Sequence, residues 1–138
     1  MIENKVLLKD QIKYIVIHCS DTDENDTAED IHKLHLSFGW EGIGYHKVIK
    51  KNGDLENGRP EFWRGAHVYG HNHESLGICL IGKGNFNKKQ FNSLKKLLIL
   101  WKKKYPLATI IGHKDFKNTK KTCPNFDVFS WVKKNNII

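Results

Sequence analysis

Two histidines and two cysteines carry the sharpest chemistry this sequence offers. His18 and Cys19 adjoin in "IVIHCS", while His113 and Cys123 bracket the basic stretch "GHKDFKNTKKTCP". Imidazole nitrogen and thiolate sulfur are preferred zinc donors, and a catalytic zinc takes three protein ligands and keeps a fourth position for water. A third cysteine, Cys79, lies inside the apolar run "GICLIG" and reads as a small core residue. No HExxH or CxxC signature is present, and 95 positions separate His18 from His113. Spacing alone leaves two readings open. One is a shared zinc centre; the other is a set of separate side chains, with strand-end histidines bonded to loop carbonyls and a Cys before Pro buried in the core.

The elements that must position these groups are legible from local pattern. "IKYIVIHCS" (12–20) is a short, β-branched, nearly unbroken apolar run, as expected of a central strand covered on both faces, and His18 falls at its end. Thr27 followed by Asp30 forms a capping box ahead of a helix in which Ile31, Leu34 and Phe38 recur at helical spacing, stopping at Gly39. "GYHKVIKKNGDLENGR" (44–59) predicts a hairpin, with Asn-Gly as a type I′ turn and Tyr45 and His46 opening its first strand. On strand alternation His46 faces away from Tyr45, as a packed residue or one supporting the site from behind.

"SLGICLIG" (75–82) is a further buried strand. Asn87 with Gln90 opens a long helix whose Phe91, Leu94, Leu98, Trp101 and Tyr105 form a core stripe, closed by Pro106. "LATIIGH" (107–113) is a last strand ending in His113, and "DVFSWVKKN" (127–135) a last helix. Strands alternating with helices predict a single α/β domain over 1–138, in three layers, with a central mixed β-sheet flanked by helices and a cleft at strand ends.

Composition bounds the function. A chain of 138 residues with 39% hydrophobic content and four Trp has enough apolar surface for one packed core. No run approaches the ~20 apolar residues of a membrane span, and "MIENKVLLKD" lacks the pattern of a signal peptide, so synthesis in the cytoplasm without membrane insertion is expected. Three cysteines in a reducing compartment point to thiols or metal ligands rather than bridges. The net charge of +8 suits nucleic acid, an anionic cell envelope or solubility, and lacks the basic and aromatic interleaving of a single-strand binder.

The order of segments resembles the zinc-dependent N-acetylmuramoyl-L-alanine amidases of type 2, which share their fold with peptidoglycan-recognition proteins, and most closely their phage lysozyme branch. The resemblance runs through "IVIHCSDT", "IHKLHLSFGWEGIGYHKVIKKNGDLENGR", "GAHVYGHNHESLGICLIG", "GHKDF" and "KTCPNFD". It implies one Zn2+ per chain held by His18, His113 and Cys123, with Tyr45 and Lys121 catalytic and Lys120 the adjacent competitor for the lysine's role. His67 matches a family histidine near the cleft, where it is expected to contact substrate or shuttle protons. The implied reaction is hydrolysis of the amide between N-acetylmuramic acid and L-alanine, by water that zinc acidifies.

That resemblance implies a monomeric phage-type endolysin made in the host cytoplasm, released by an agent such as a holin, and acting on peptidoglycan at the cell wall. It also implies no specific nucleic acid partner. Two other classes remain. A non-catalytic peptidoglycan-binding module typically lacks the ligand cysteine, which is present here as Cys123. A metal-dependent nuclease is suggested by "HNH" at 71–73, three letters without the surrounding ββα layout.

Overall fold

The computed structural model describes residues 5–117 and 119–137. The first four residues of the opening segment, Asn118 in the loop before Cys123, and Ile138 lie outside the described residues. In chain order the main elements are β1 (Tyr14–Cys19), α1 (Ala28–Ser37), β2 (Lys47–Ile49), β3 (Leu55–Asn57), β4 (Ser75–Leu80), α2 (Lys88–Lys104), β5 (Thr109–Gly112) and α3 (Val128–Lys134).

The five strands form one sheet in the order β3-β2-β4-β1-β5. β1 runs parallel to both β4 and β5, β2 runs parallel to β4, and only the β2–β3 hairpin is antiparallel, so the sheet is mixed as expected. Ile15 and Ile17 of β1 join Leu76, Ile78 and Leu80 of β4 against Leu94, Leu98 and Trp101 of α2 and Val128 of α3. On the other face Val48 and Cys79 pack with Ala28 and Ile31 of α1, while Val16 and Ile111 are covered by Val68. Both faces being covered explains why β1 and β4 read as continuous apolar runs rather than alternating ones. The expected three layers are present.

Local chemistry sets the helix starts. Thr27 Oγ1 accepts the Asp30 N–H at 3.3 Å and Asp30 Oδ2 accepts the Thr27 N–H at 2.9 Å, so two otherwise orphaned donors at the start of α1 are satisfied. Asn87 and Gln90 exchange the same pair of bonds at α2. The Gln90 side chain also donates to the Ile81 carbonyl at 3.0 Å, tying that helix to the chain just beyond β4.

The hairpin turn departs from expectation. Of its Asn-Gly pair only Gly53 has positive φ, at 89°, and the Gly53 N–H donates to the Lys50 carbonyl at 2.8 Å. This is a type I turn closed by a left-handed glycine, not type I′. The tip rests on α2: a Cβ at Gly53 would stand 3.0 Å from the Lys89 carbonyl oxygen. The close fit at the tip leaves little room for a side chain at Gly53.

Candidate active site

Three chain segments deliver the candidate ligands to one place. β1 carries His18 to its last turnout from the sheet, on the face of Val16, while Cys19 follows Ile17 toward the opposite face. β5, beside β1, ends at Gly112, and His113 opens a single 3₁₀ turn. A Cβ on Gly112 would stand 3.0–3.1 Å from Asp115, Val128 and Pro124, so the absence of a side chain there lets the loop carrying Cys123 close against the strand end. That loop is pinned by the Lys114 N–H, which donates to the Cys123 carbonyl at 2.9 Å.

The Sγ of Cys123 stands 3.7 Å from Nδ1 of His18 and 3.7 Å from Nδ1 of His113. One donor atom from each residue lies within 4.8 Å of the other two. Zinc bonds of about 2.0–2.1 Å to nitrogen and about 2.3 Å to sulfur, at tetrahedral angles, place nitrogen and sulfur about 3.6 Å apart. The donor set therefore fits a tetrahedral zinc. Cys19 contributes a backbone group instead of its thiol, its N–H donating to Cys123 Sγ at 3.4 Å. Cys79 is fully buried in the core, as its apolar setting predicts.

Electrostatics suit a cation here. Burial, together with neighbouring His67, His113 and His46, holds His18 well below the usual histidine range, so its imidazole is neutral. Burial and then the Lys121 charge lower His113 likewise. The Cys123 thiol is pushed up by the neighbouring Cys19 side chain and by burial, which together outweigh the lowering effect of the Cys19 backbone N–H. A thiol so raised must release its proton to solvent as the thiolate takes up a metal, which makes binding pH-dependent.

A cleft of about 450 Å³ opens over these residues, with Tyr45, His67, Trp40 and Lys121 in its wall. The Tyr45 ring lies 5.1 Å from that of His18. Burial, with the thiols of Cys79, Cys123 and Cys19 nearby, holds its phenol well above its ordinary value, so it stays protonated and can donate a hydrogen bond. Lys121 is exposed at the cleft edge; Lys120, exposed beside it, is not among the described residues of the wall.

His46 lies behind this surface, and His67 reaches the wall only at its edge. His67 is 9% exposed, and its two ring nitrogens face His18 Nε2 at 2.8 Å and Ser75 Oγ at 3.3 Å. His46 is packed, as strand alternation allowed: its Nδ1 accepts the Gly77 N–H at 3.0 Å and its Nε2–H meets the Trp63 carbonyl at 2.7 Å. Ser75 was not a sequence candidate, since a serine opening a strand carries no local sign that it faces a buried histidine. The "HNH" residues have structural duties. Asn72 Oδ1 accepts the His67 and Val68 N–H groups at 3.0 and 2.9 Å, and His71 bonds Glu74 at 2.8 Å.

Comparison with known proteins agrees with this geometry. The family described as N-acetylmuramoyl-L-alanine amidase, Amidase_2, matches residues 8–126. The endolysins of Enterobacteria phage T3 and Escherichia phage T7 are each 38% identical over 134 residues, covering 90% of this chain and 87% of theirs. Among solved structures, the N-acetylmuramoyl-L-alanine amidase LysC from Clostridium intestinale URNW superimposes with a TM-score of 0.83 at 33% identity, covering 98% of this chain and 93% of that one. Apis mellifera PGRP-SA superimposes with a TM-score of 0.80 at 27% identity, covering 94% and 84%. The motifs, the mixed sheet and the histidine and cysteine cluster under its cleft thus converge, and the chain belongs to the N-acetylmuramoyl-L-alanine amidase family, as a peptidoglycan amidase.

Proposed function

We propose that this protein is a phage-type endolysin that hydrolyses the amide between the lactyl group of N-acetylmuramic acid and L-alanine, using one Zn2+ held by His18 Nδ1, His113 Nδ1 and Cys123 Sγ. The observation that carries this reading is the 3.7 Å approach of Cys123 Sγ to both imidazoles at the floor of a cleft that also holds Tyr45 and Lys121. When bound, zinc supplies Lewis acidity and lowers the pKa of a bound water to about 7.

The chain's own groups account for the rest. His18 and His113 present neutral nitrogens, and the Cys19 N–H steadies the Cys123 sulfur as an acceptor. Tyr45, protonated, donates a hydrogen bond to oxygen at the reacting carbonyl. The Lys121 ammonium sits where negative charge develops on that oxygen, a contribution commonly about 100- to 1000-fold in rate for one such donor. The net charge of +8 favours approach to an anionic envelope.

Incubation of purified sacculi tests the reading. Free peptides beginning with L-alanine should appear by mass spectrometry, vanish on chelation, return with zinc, and be absent with Cys123→Ala. Intact muropeptides from the zinc-loaded protein would overturn it, and binding to sacculi without new amines would select the non-catalytic module.

A further inference from the structure

We propose that Ser75, His67 and His18 form a directional hydrogen-bond relay that fixes the tautomer of His18, making His67 and Ser75 positioning residues for a metal ligand. The inference deepens the proposed function, since it rests on His18 Nδ1 being a ligand atom.

The direction of each bond follows from proton counting. Ser75 Oγ lies 2.8 Å from the His71 carbonyl oxygen, which can only accept, so the single hydroxyl proton is committed there. Toward His67 Nε2, 3.3 Å away, Ser75 must then act as acceptor, and His67 carries its proton on Nε2. The Nδ1 of His67 is left with a lone pair, facing His18 Nε2 at 2.8 Å. His18 therefore donates from Nε2, and its Nδ1 lone pair is directed to the side of Cys123 Sγ. A neutral imidazole with the opposite tautomer would present a proton to the cation.

The surroundings leave His67 little freedom to do anything else. A Cβ on Gly77 would stand 2.8 Å from its ring, and one on Gly65 would stand 2.5 Å from its Cδ2, so two glycines form a slot into which the imidazole fits. Asn72 fixes the backbone at His67 and Val68. Ser75 is 0% exposed, so its hydroxyl is shielded from bulk solvent. With both ring nitrogens engaged inside the protein, His67 supports the ligand instead of reaching for substrate. Partners of this kind raise ligand basicity and typically contribute 10- to 100-fold in metal affinity.

Long-range ¹H–¹⁵N correlation spectra of the metal-free protein near neutral pH read the relay without reference to activity. Both His18 and His67 are expected as Nε2–H tautomers. Ser75→Ala should mix the His67 tautomers, and His67→Ala should mix those of His18 and weaken zinc about 10- to 100-fold by chelator competition. His67→Asn, whose Oδ1 replaces the Nδ1 acceptor, should restore most of the zinc affinity and serves as the control for folding. An Nδ1–H tautomer at His18 or His67 in the wild type, or zinc affinity unaltered by His67→Ala, would overturn the relay. The two readings fail separately: wild-type protein that shows the Nε2–H tautomers yet binds no zinc would sink the metal centre alone.

Discussion

The backbone N–H of Cys19 donates to the Sγ of Cys123 at 3.4 Å, so the residue following one candidate ligand in β1 holds another contributed by a loop 104 positions later. The bond uses the main chain, which separates two cysteines that look alike in sequence. Cys123→Ala should abolish stoichiometric zinc, measured by metal analysis after dialysis. Cys19→Ala keeps the N–H and should retain zinc, at a cost of roughly 1 kcal/mol for a small cavity. Loss of zinc in both variants would show that the Cys19 thiol is itself a ligand.

Lys121 and Lys120 adjoin in the chain but differ in position, since only Lys121 is in the cleft wall and its charge is felt at His113. Lys121→Ala should lower kcat about 100- to 1000-fold with zinc content unchanged. Lys120→Ala, on the same sacculus assay, should stay close to wild type. Inactivity of the Lys120 variant alone would transfer the role to that residue.

Tyr45 keeps its proton across the physiological range, because burial and the neighbouring thiols all disfavour the phenolate. Tyr45→Phe preserves the ring beside His18 and removes only the donor. A loss of about 100-fold in kcat is expected, with an unchanged thermal midpoint and zinc content. Activity within a few-fold of wild type would remove Tyr45 from the reaction.

Much of this arrangement was readable from the chain, and the parts that were not share a physical cause. The caps at Thr27 and Asn87 and the buried strand ending in His18 are decided by residues within a few positions of each other. The meeting of His18 with His113 depends on the parallel pairing of β1 with β5, a long-range fact that residue types and spacing left open and family resemblance supplied. Gly53 shows the same limit at smaller scale, its close approach to α2 carrying no mark in the local sequence. Ser75 and the tautomers behind the site depend on which buried groups face one another, and strand pattern carries no sign of that.

His46 makes stability depend on pH in a way that follows from its two bonds. Its Nδ1 accepts the Gly77 N–H and its Nε2–H is spent on the Trp63 carbonyl, so a second proton would set two donors against each other at Gly77. Burial lowers its pKa from the ordinary 6.5 to about 4. Between those values the unfolded chain takes up a proton that the folded protein refuses. The stability contribution is thus complete above about pH 6.5 and is lost as pH falls toward 4, on the order of 3 kcal/mol in all. His35, also lowered to about 4 mainly by burial, acts in the same direction. The measurement is therefore a difference: urea unfolding of wild type and His46→Asn, whose Oδ1 can still accept from Gly77, from pH 6 to pH 5. The variant's stability should fall less steeply, by close to one proton or about 1.4 kcal/mol per pH unit. Equal slopes would mean that His46 takes its proton in the folded protein as readily as in the unfolded chain.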